Sequence, residues 1–310
     1  MKPIKHIETH TGMTVDELIK EMEKSGVFGA GRLSKAVNIA EKMISDGECK
    51  VFFGLAGAMV PGGMRKIVVD MLENGWIDVF VTTGANLTHD LVEALGYHHY
   101  QGSKDVDDKQ LHSDGVDRIY ESFMPNEVYE KLEEFCRDVF DKIMITRREA
   151  PSNMNIKEFL WEFGSHAPKG SILRTCADKK IPIFCPALAD SGIGLQVWNY
   201  IQQKKLPVDA FDDLKEILDI AWTCKRAGVF YVGGGVPKNY IQQAMQFSKS
   251  AVYGIQITTD RPESGGSSGA ELRESISWGK LSSEAEFVDV ICDATIALPL
   301  ISAALKERIK

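Results

Sequence analysis

The sequence predicts an α/β fold, a parallel sheet flanked by helices and preceded by an N-terminal helical extension. Three observations carry that expectation. Continuous apolar runs such as Val51–Leu55 and Val229–Val232 have the pattern of strands buried on both faces. Stretches of helical period alternate with those runs. Loops of small residues connect strand to helix, as in repeated βαβ units.

Each element has its own reason. Thr14–Ser25 carries Val15, Leu18, Ile19 and Met22 at helical spacing, and Thr14 with Glu17 makes a capping box. A second helix covers Leu33–Ile44 and stops near Gly47. The strand Val51–Leu55 feeds the turn Ala56–Gly63 and a helix from Met64 to Glu73, which Asn74-Gly75 ends. Ile77–Thr82 is the next strand, Thr82–Asn86 its loop and Asp90–Leu95 the following helix. Tyr97–Asp114 is polar and irregular. Its His98-His99 pair, near Asp105, Asp107 and Asp108, reads as a solvated loop, because adjacent histidines lack metal-ligand spacing. Val128–Ile143 returns to helix. Ile181–Cys185 is a strand with the loop Pro186–Gly194, Asp213–Ala227 a helix, and Val229–Val232 a strand entering Gly233-Gly234-Gly235. Ala251–Thr258 and Phe287–Ile291 add two strands, and Ala294–Arg308 closes the chain as a helix. No long linker interrupts this order. Residues 1–47 therefore read as the extension and 48–310 as one compact Rossmann-like domain.

Composition narrows the function. The chain has 310 residues, and 36 Lys and Arg against 44 Asp and Glu leave a net charge of −8. An acidic field repels a phosphate backbone, so nucleic acid is not an expected partner, and a cationic small molecule suits it better. Hydrophobic residues at 44% and charged residues at 26% exclude disorder. The six cysteines are widely spaced and read as reduced, buried thiols, with no metal site. The polar start of the chain and the lack of an apolar run of ~18 residues point away from a membrane and towards the cytoplasm.

Ligands of open parallel sheets bind in loops beyond the carboxyl ends of the strands. Five such loops here are small and polar: Gly54–Gly63, Thr82–Asn86, Asp190–Gly194, Gly233–Gly235 and Asp293-Ala294-Thr295. Small residues admit close backbone approach to a phosphate, and helix N-termini favour its charge. Five in one sheet suggest a dinucleotide, although tight turns alone would look similar. Neither GxGxxG nor Walker spacing is present.

Ser277-Trp278-Gly279-Lys280 followed by Asp293-Ala294-Thr295, and preceded by Gly233-Gly234-Gly235 and Pro186-Ala187-Leu188 with Asp190, resembles the deoxyhypusine synthase family. The similarity runs in order from about residue 50 to the C-terminus. It implies NAD as cofactor, a homotetramer with sites at subunit interfaces, and Lys280 as nucleophile. The family oxidises spermidine, captures its aminobutyl group on the lysine and passes it to a lysine of the hypusine-bearing translation initiation factor. By motif, NAD contacts fall on Gly57, Ala58, Met59, Val60, Pro61, Thr83, Gly84, Ala85, Asp190, Gly234, Thr259, Asp260, Asp293 and Ala294.

The chemistry stands on its own terms. Removing hydride from a carbon next to nitrogen gives an imine, which a lysine amine can attack and hold as a Schiff base. The amine must be neutral, and at a pKa of about 10.4 roughly one lysine in 2,500 is neutral at pH 7. Desolvation against an indole such as Trp278 is one remedy. Glu274 is a candidate anchor for a substrate cation.

The departures from the family pattern concern the amine. Leu195 and Ser267 stand where the family has aspartates, Asn239 where it has a histidine, and Thr88 and His89 where it has a pair of glutamates. Gly57-Ala58 replaces Ser-Asn. A buried charge without its partner costs about 3–5 kcal/mol, so spermidine should not bind in the same pose. The leading expectation is a NAD-dependent alkyl or aminobutyl transferase with an altered amine site. It would act through Lys280, with Glu274, Trp278, His89, Asn239 and Ser267 as substrate contacts, on a small cationic amine such as agmatine or putrescine. Asp260 and Glu263 are further candidates for replacement contacts. The alternatives are true deoxyhypusine synthase with its protein acceptor, and a non-catalytic NAD-binding partner subunit.

Overall fold

The structure, a computed structural model, describes residues 1–147 and 153–309. In chain order the elements are α1 (Val15–Ser25), α2 (Phe28–Ser45), β1 (Cys49–Leu55), α3 (Arg65–Glu73), β2 (Val79–Thr82) and α4 (Gly84–Ala94). Next come β3 (Tyr100–Gln101), α5 (Asp108–Ser113), β4 (Val116–Ile119), β5 (Ser122–Pro125), α6 (Val128–Thr146), β6 (Met154–Asn155), α7 (Ile156–His166) and α8 (Ile172–Lys179). They are followed by β7 (Ile183–Phe184), α9 (Gly192–Ile201), β8 (Val208–Asp209), α10 (Phe211–Thr223), β9 (Arg226–Val232) and α11 (Gly235–Gln246). The chain closes with β10 (Ala251–Thr258), α12 (Glu274–Ser277), β11 (Leu281–Ile291) and α13 (Ala294–Arg308). The α/β class is as the sequence predicts.

Two compact units divide the chain. The first comprises Met1–Gly57, Asn74–Val81 and Leu214–Lys310, the second Ala58–Glu73 and Thr82–Asp213. This is a different partition from a helical extension followed by one α/β domain. In the first unit α2 packs on β10 and β11, and α1 and α13 pack on α2. Arg308 near the C-terminus ties the three helices together through Asp16, Asn38 and Glu41. α1 and α2 are therefore packed into this unit, because Ile19 of α1 and the apolar stripe of α2 (Leu33, Val37, Ala40) are buried, whereas residues 1–12 are exposed.

The first unit's strands lie in the order β11-β10-β9-β1-β2. β1 pairs with β9, β9 with β10 and β10 with β11, all parallel. Helices cover both faces. A Cβ on Gly228 would meet Met43 of α2, and one on Gly54 would meet Ile241 of α11. Val51 pairs with Gly228, and Gly54 is three residues further along, so the two glycines face opposite ways.

In the second unit β3, β5 and β4 form an antiparallel three-stranded sheet, with β5 in the middle, between residues 100 and 125. α5, α7, α8 and α9 of this unit fall where the sequence reading gives no helix, as does α11 of the first unit. A buried polar contact organises the second unit's helices. Asp90, on α4, accepts from Arg65 Nε at 2.8 Å and from the first amides of α8, Ile172 N at 3.0 Å and Leu173 N at 3.2 Å. Burial raises its pKa against these donors, which pull the other way. Thr88 does similar work, donating to Gly84 O and accepting from Ile193 N of α9.

Asp90→Ala would leave two buried amides without an acceptor and Arg65 without its partner. Its expected cost is about 3–5 kcal/mol of unfolding free energy, read from equilibrium urea unfolding, with Asp90→Asn costing less because it keeps an acceptor.

Candidate active site

In the first unit, parallel register brings the carboxyl ends of four strands level. Leu55 pairs with Val232, Val232 with Ile257, and Thr258 with Ile291. Three backbone hydrogen bonds extend that line into the loops: Ala56 N to Val232 O, Gly233 N to Ile257 O and Cys292 N to Thr258 O. Gly57, Gly234, Thr259, Asp260, Asp293 and Ala294 all follow these ends. A Cβ on Gly234 would lie 2.2 Å from Ser268 Cα, so only glycine lets the two loops meet there. Ser268 donates its hydroxyl to the Asp260 carboxylate, and Ser267 Oγ donates to Gly235 O at 3.2 Å. The Ser268 bond, with the Arg261 amide, holds Asp260 below the usual carboxylate range. Asp293 caps α13, its Oδ1 accepting from Thr295 N at 2.7 Å.

The second unit gathers its own group. Thr83 caps α4 and binds Asn86, whose Oδ1 accepts from Val60 N at 3.4 Å. A Cβ on Gly84 would lie 2.5 Å from Ser191, next to Asp190. Thr83, Gly84, Val60 and the Asp190 loop are thereby assembled, with Ala58, Met59, Pro61 and Ala85 on the same segments and Asp190 exposed.

Lys280 lies elsewhere in the first unit. It immediately precedes β11, and its carbonyl accepts from Ala251 N at the start of β10. Asp293 and Ala294 lie beyond the far end of β11. At about 3.3 Å per residue, the eight residues of β10 separate these edges by roughly 26 Å. The expected nucleophile and the expected NAD loops are therefore not one cluster within this unit. Lys280 Nζ stands 4.9 Å from the Trp278 ring centroid, and that ring is 57% exposed. The indole does not enclose the lysine. An open indole face attracts an ammonium. Glu274 opens α12 one turn before Trp278 and is exposed.

A residue that the sequence reading passes over joins these parts. Lys238, in the first turn of α11, is 1% exposed and donates to Ser267 O at 2.7 Å and Ala270 O at 2.6 Å. Burial pulls it down to about 8, with Asp289 and Glu274 acting against that and Lys280 with it. Below it Tyr231, Gln256 and Asp289 occupy paired positions on β9, β10 and β11. Gln256 Nε2 donates to Ser268 O, and Asp289 accepts from Leu272 N. This buried polar layer fixes the 267–272 segment.

Asn239 and Ser267 line one open groove of about 470 Å³, with Gly235, Val236, Tyr240 and Gln243. The lining holds neither carboxylate nor histidine. Leu195 is 62% exposed on α9. Thr88 is buried and structural. His89 is half-buried and hydrogen-bonded to His99, and His99 is itself buried in the side chain, contrary to a solvated loop.

The residues fit a dinucleotide on one observation. α11 starts at Gly234 and Gly235 with no capping side chain, at the level strand edge, and nothing lies within 4 Å of a Cβ on Gly235. By contrast α4, α9 and α13 are capped by Thr83, Ser191 and Asp293. Uncapped amides beside open space suit a phosphate.

The deoxyhypusine synthase family model matches residues 17–305. A Methanosarcina mazei protein described as "Probable deoxyhypusine synthase 1" is 48% identical, covering 99% of this chain and 95% of its own length. An Archaeoglobus fulgidus protein of the same description is 44% identical, with 97% of each chain covered. A crystal structure described as a "putative deoxyhypusine synthase", from Entamoeba histolytica, superposes with a TM-score of 0.65 at 18% identity over 97% of this chain and 96% of that one, a likeness of fold. Among the described residues no helix is long and apolar enough to cross a membrane.

Lys238 gives a pH test. Its folded pKa of about 8 lies below the ordinary value of 10.5. Between those values the unfolded chain binds more protons, so the lysine's contribution to stability rises with pH through that window. Urea unfolding at two pH values within it should show that rise in the wild type and a smaller one in Lys238→Met.

Proposed function

The chain belongs to the deoxyhypusine synthase family, and on that footing we propose that it is a NAD-dependent alkylamine transferase working through Lys280. Its donor or acceptor is a small amine such as putrescine or agmatine. The observation that carries the altered amine site is the groove of Asn239 and Ser267, whose lining has no carboxylate. Spermidine carries one more ammonium than putrescine, and that additional charge entering there would lose its water without gaining a counter-charge.

Gly57, Ala58, Met59, Val60, Pro61, Thr83, Gly84, Ala85, Asp190, Gly234, Thr259, Asp260, Asp293 and Ala294 are the residues that would hold NAD. When bound, NAD supplies the hydride acceptor that turns a donor amine into an imine. The neutral amine of Lys280 adds to the imine carbon, and the original C–N bond breaks as the departing nitrogen takes a proton. The alkyl group is then held on Lys280 as a Schiff base, ready for an acceptor amine. Trp278 would pack along the alkyl chain, and Glu274 would pair with a distal cation.

A homotetramer with sites completed between copies accounts for two features. The Trp278–Lys280 pair is open within one chain, and Lys280 sits a strand length away from the NAD loops of its own unit. The exposed apolar stripe Leu195, Trp198 and Ile201 on α9 is of the kind that subunit contacts cover. A second reading, deoxyhypusine synthase acting on spermidine and the initiation-factor lysine, is favoured by the descriptions of the archaeal relatives.

Three outcomes are expected. Borohydride added with NAD and an amine panel of putrescine, agmatine, spermidine and homospermidine should leave a mass adduct on Lys280, absent in Lys280→Arg. NADH absorbance should rise with a short amine and not with spermidine. A rise with spermidine alone, together with modification of the initiation factor, would favour the second reading. Light scattering should give four copies, and Leu195→Glu combined with Trp198→Glu should dissociate them.

A further inference from the structure

Trp278, Gly279 and Lys280 close α12 as a Schellman cap. Gly279 takes the left-handed conformation at φ 68°, Lys280 N donates to Ser275 O at 3.0 Å, and Gly279 N donates to Ile276 O at 3.0 Å. Trp278 N also donates to Ser275 O, at 3.3 Å. One carbonyl, that of Ser275, therefore receives the amides of both members of the Trp278–Lys280 pair. Past the cap the chain is pinned again. Ser250 Oγ donates to Gly279 O at 2.7 Å, and Ala251 N donates to Lys280 O at 3.1 Å.

α12 cannot hold this cap by itself. It has four residues, a single turn, and isolated turns that short are not stable. Its anchor comes from α11. Gln242 Nε2 donates to Ser275 Oγ at 2.6 Å, and the two residues are 8% and 6% exposed. A buried polar pair of this kind dictates one geometry, because a donor moved off its acceptor goes unpaired away from water. Gln242 lies one turn after Lys238 on the buried face of α11. α11 thus grips this stretch twice, at 267–270 through Lys238 and within α12 through Gln242.

We propose that Gln242 and Ser275 are positioning residues for Lys280, fixing through the Ser275 carbonyl where the Trp278–Lys280 pair leaves α12. The proposal deepens the proposed function and rests on its assignment of Lys280 as the nucleophile. Every contact from Gln242 to Ser275 to Lys280 lies within the first unit. Without the buried bond the Ser275 carbonyl shifts, and the amides it receives shift with it. The Lys280 amine then loses its fixed place 4.9 Å from the Trp278 ring centroid. Addition to an imine carbon is sensitive to a displacement of about an ångström.

Two measurements on the full chain test this role. Amide hydrogen exchange needs no ligand. In Gln242→Leu and in Ser275→Ala the amides of Trp278 and Lys280 should exchange about tenfold faster than in the wild type, the equivalent of one buried hydrogen bond. Those of β1 and β9 should keep their rates. Unchanged protection of both amides in both variants would overturn the proposal. The second measurement takes an amine that reduces NAD and compares the borohydride-trapped Lys280 adduct with the NADH formed. A displaced nucleophile leaves hydride removal in place, so adduct per NADH should fall about tenfold or more, with the KM for the amine kept. Adduct and NADH falling in proportion is what a general loss of folded protein gives, and that result overturns the proposal. The double variant should lose no more than the worse single one, since both changes remove the same bond, and additive losses also overturn it. If no amine reduces NAD, the proposed function fails, and the exchange rates still decide whether Gln242 and Ser275 hold Lys280.

Discussion

Parallel pairing holds four strand ends of the first unit level, and the candidate-site loops of that unit depend on it. A parallel ladder has evenly spaced bonds and one direction, so every carboxyl end emerges on the same edge. Here the ladder continues one residue past the strands, through the amides of Ala56, Gly233 and Cys292. Those bonds fix where Gly57, Gly234 and Asp293 begin. The first turn of α11 then leaves its uncapped amides on that edge, and its Lys238 reaches back to clamp the 267–270 segment. The same geometry puts Lys280 on the other edge, since it precedes a strand rather than following one.

Polar groups, more than apolar ones, determine the fine structure around the candidate site. Buried apolar side chains such as Phe52, Phe53, Phe80 and Phe230 make the core dry but do not specify one loop conformation. Lys238, Asp90, Thr88 and Asn86 do, because each is buried and must find particular partners. A buried lysine is tolerated when carbonyls and a nearby carboxylate meet it, and Ser267 O, Ala270 O and Asp289 do so here. Ser267 lines the groove with a hydroxyl while the backbone carbonyl of the same residue anchors the clamp.

Legibility varied with the range of the interaction. The Thr14 capping box, the strand Ala251–Thr258 and the helix Ala294–Arg308 are as the sequence predicts, because caps and unbroken apolar runs are local signals. α9 and α11 begin within Gly192–Gly194 and at Gly235, so their first turns look like loop, and only packing against Thr88 and Ser268 makes them helix. The strands of the β3-β5-β4 sheet are too short to show a period. His98-His99 looks solvated in sequence, yet one turn of chain after Gly96 returns His99 to Glu93 and His89.

By itself the sequence determined the α/β class, the small-residue loops and the Trp278–Lys280 motif, all properties of contiguous residues. Tertiary structure alone decided that α1 and α2 pack into the first unit and that Lys238 is buried. It also decided that Asn239 and Ser267 share a groove, and that Lys280 stands a strand length from the loops it was grouped with. Spacing along a chain records periodicity, whereas burial and distance depend on which elements pair. In this protein parallel pairing brings some distant loops together and keeps the two ends of one strand apart.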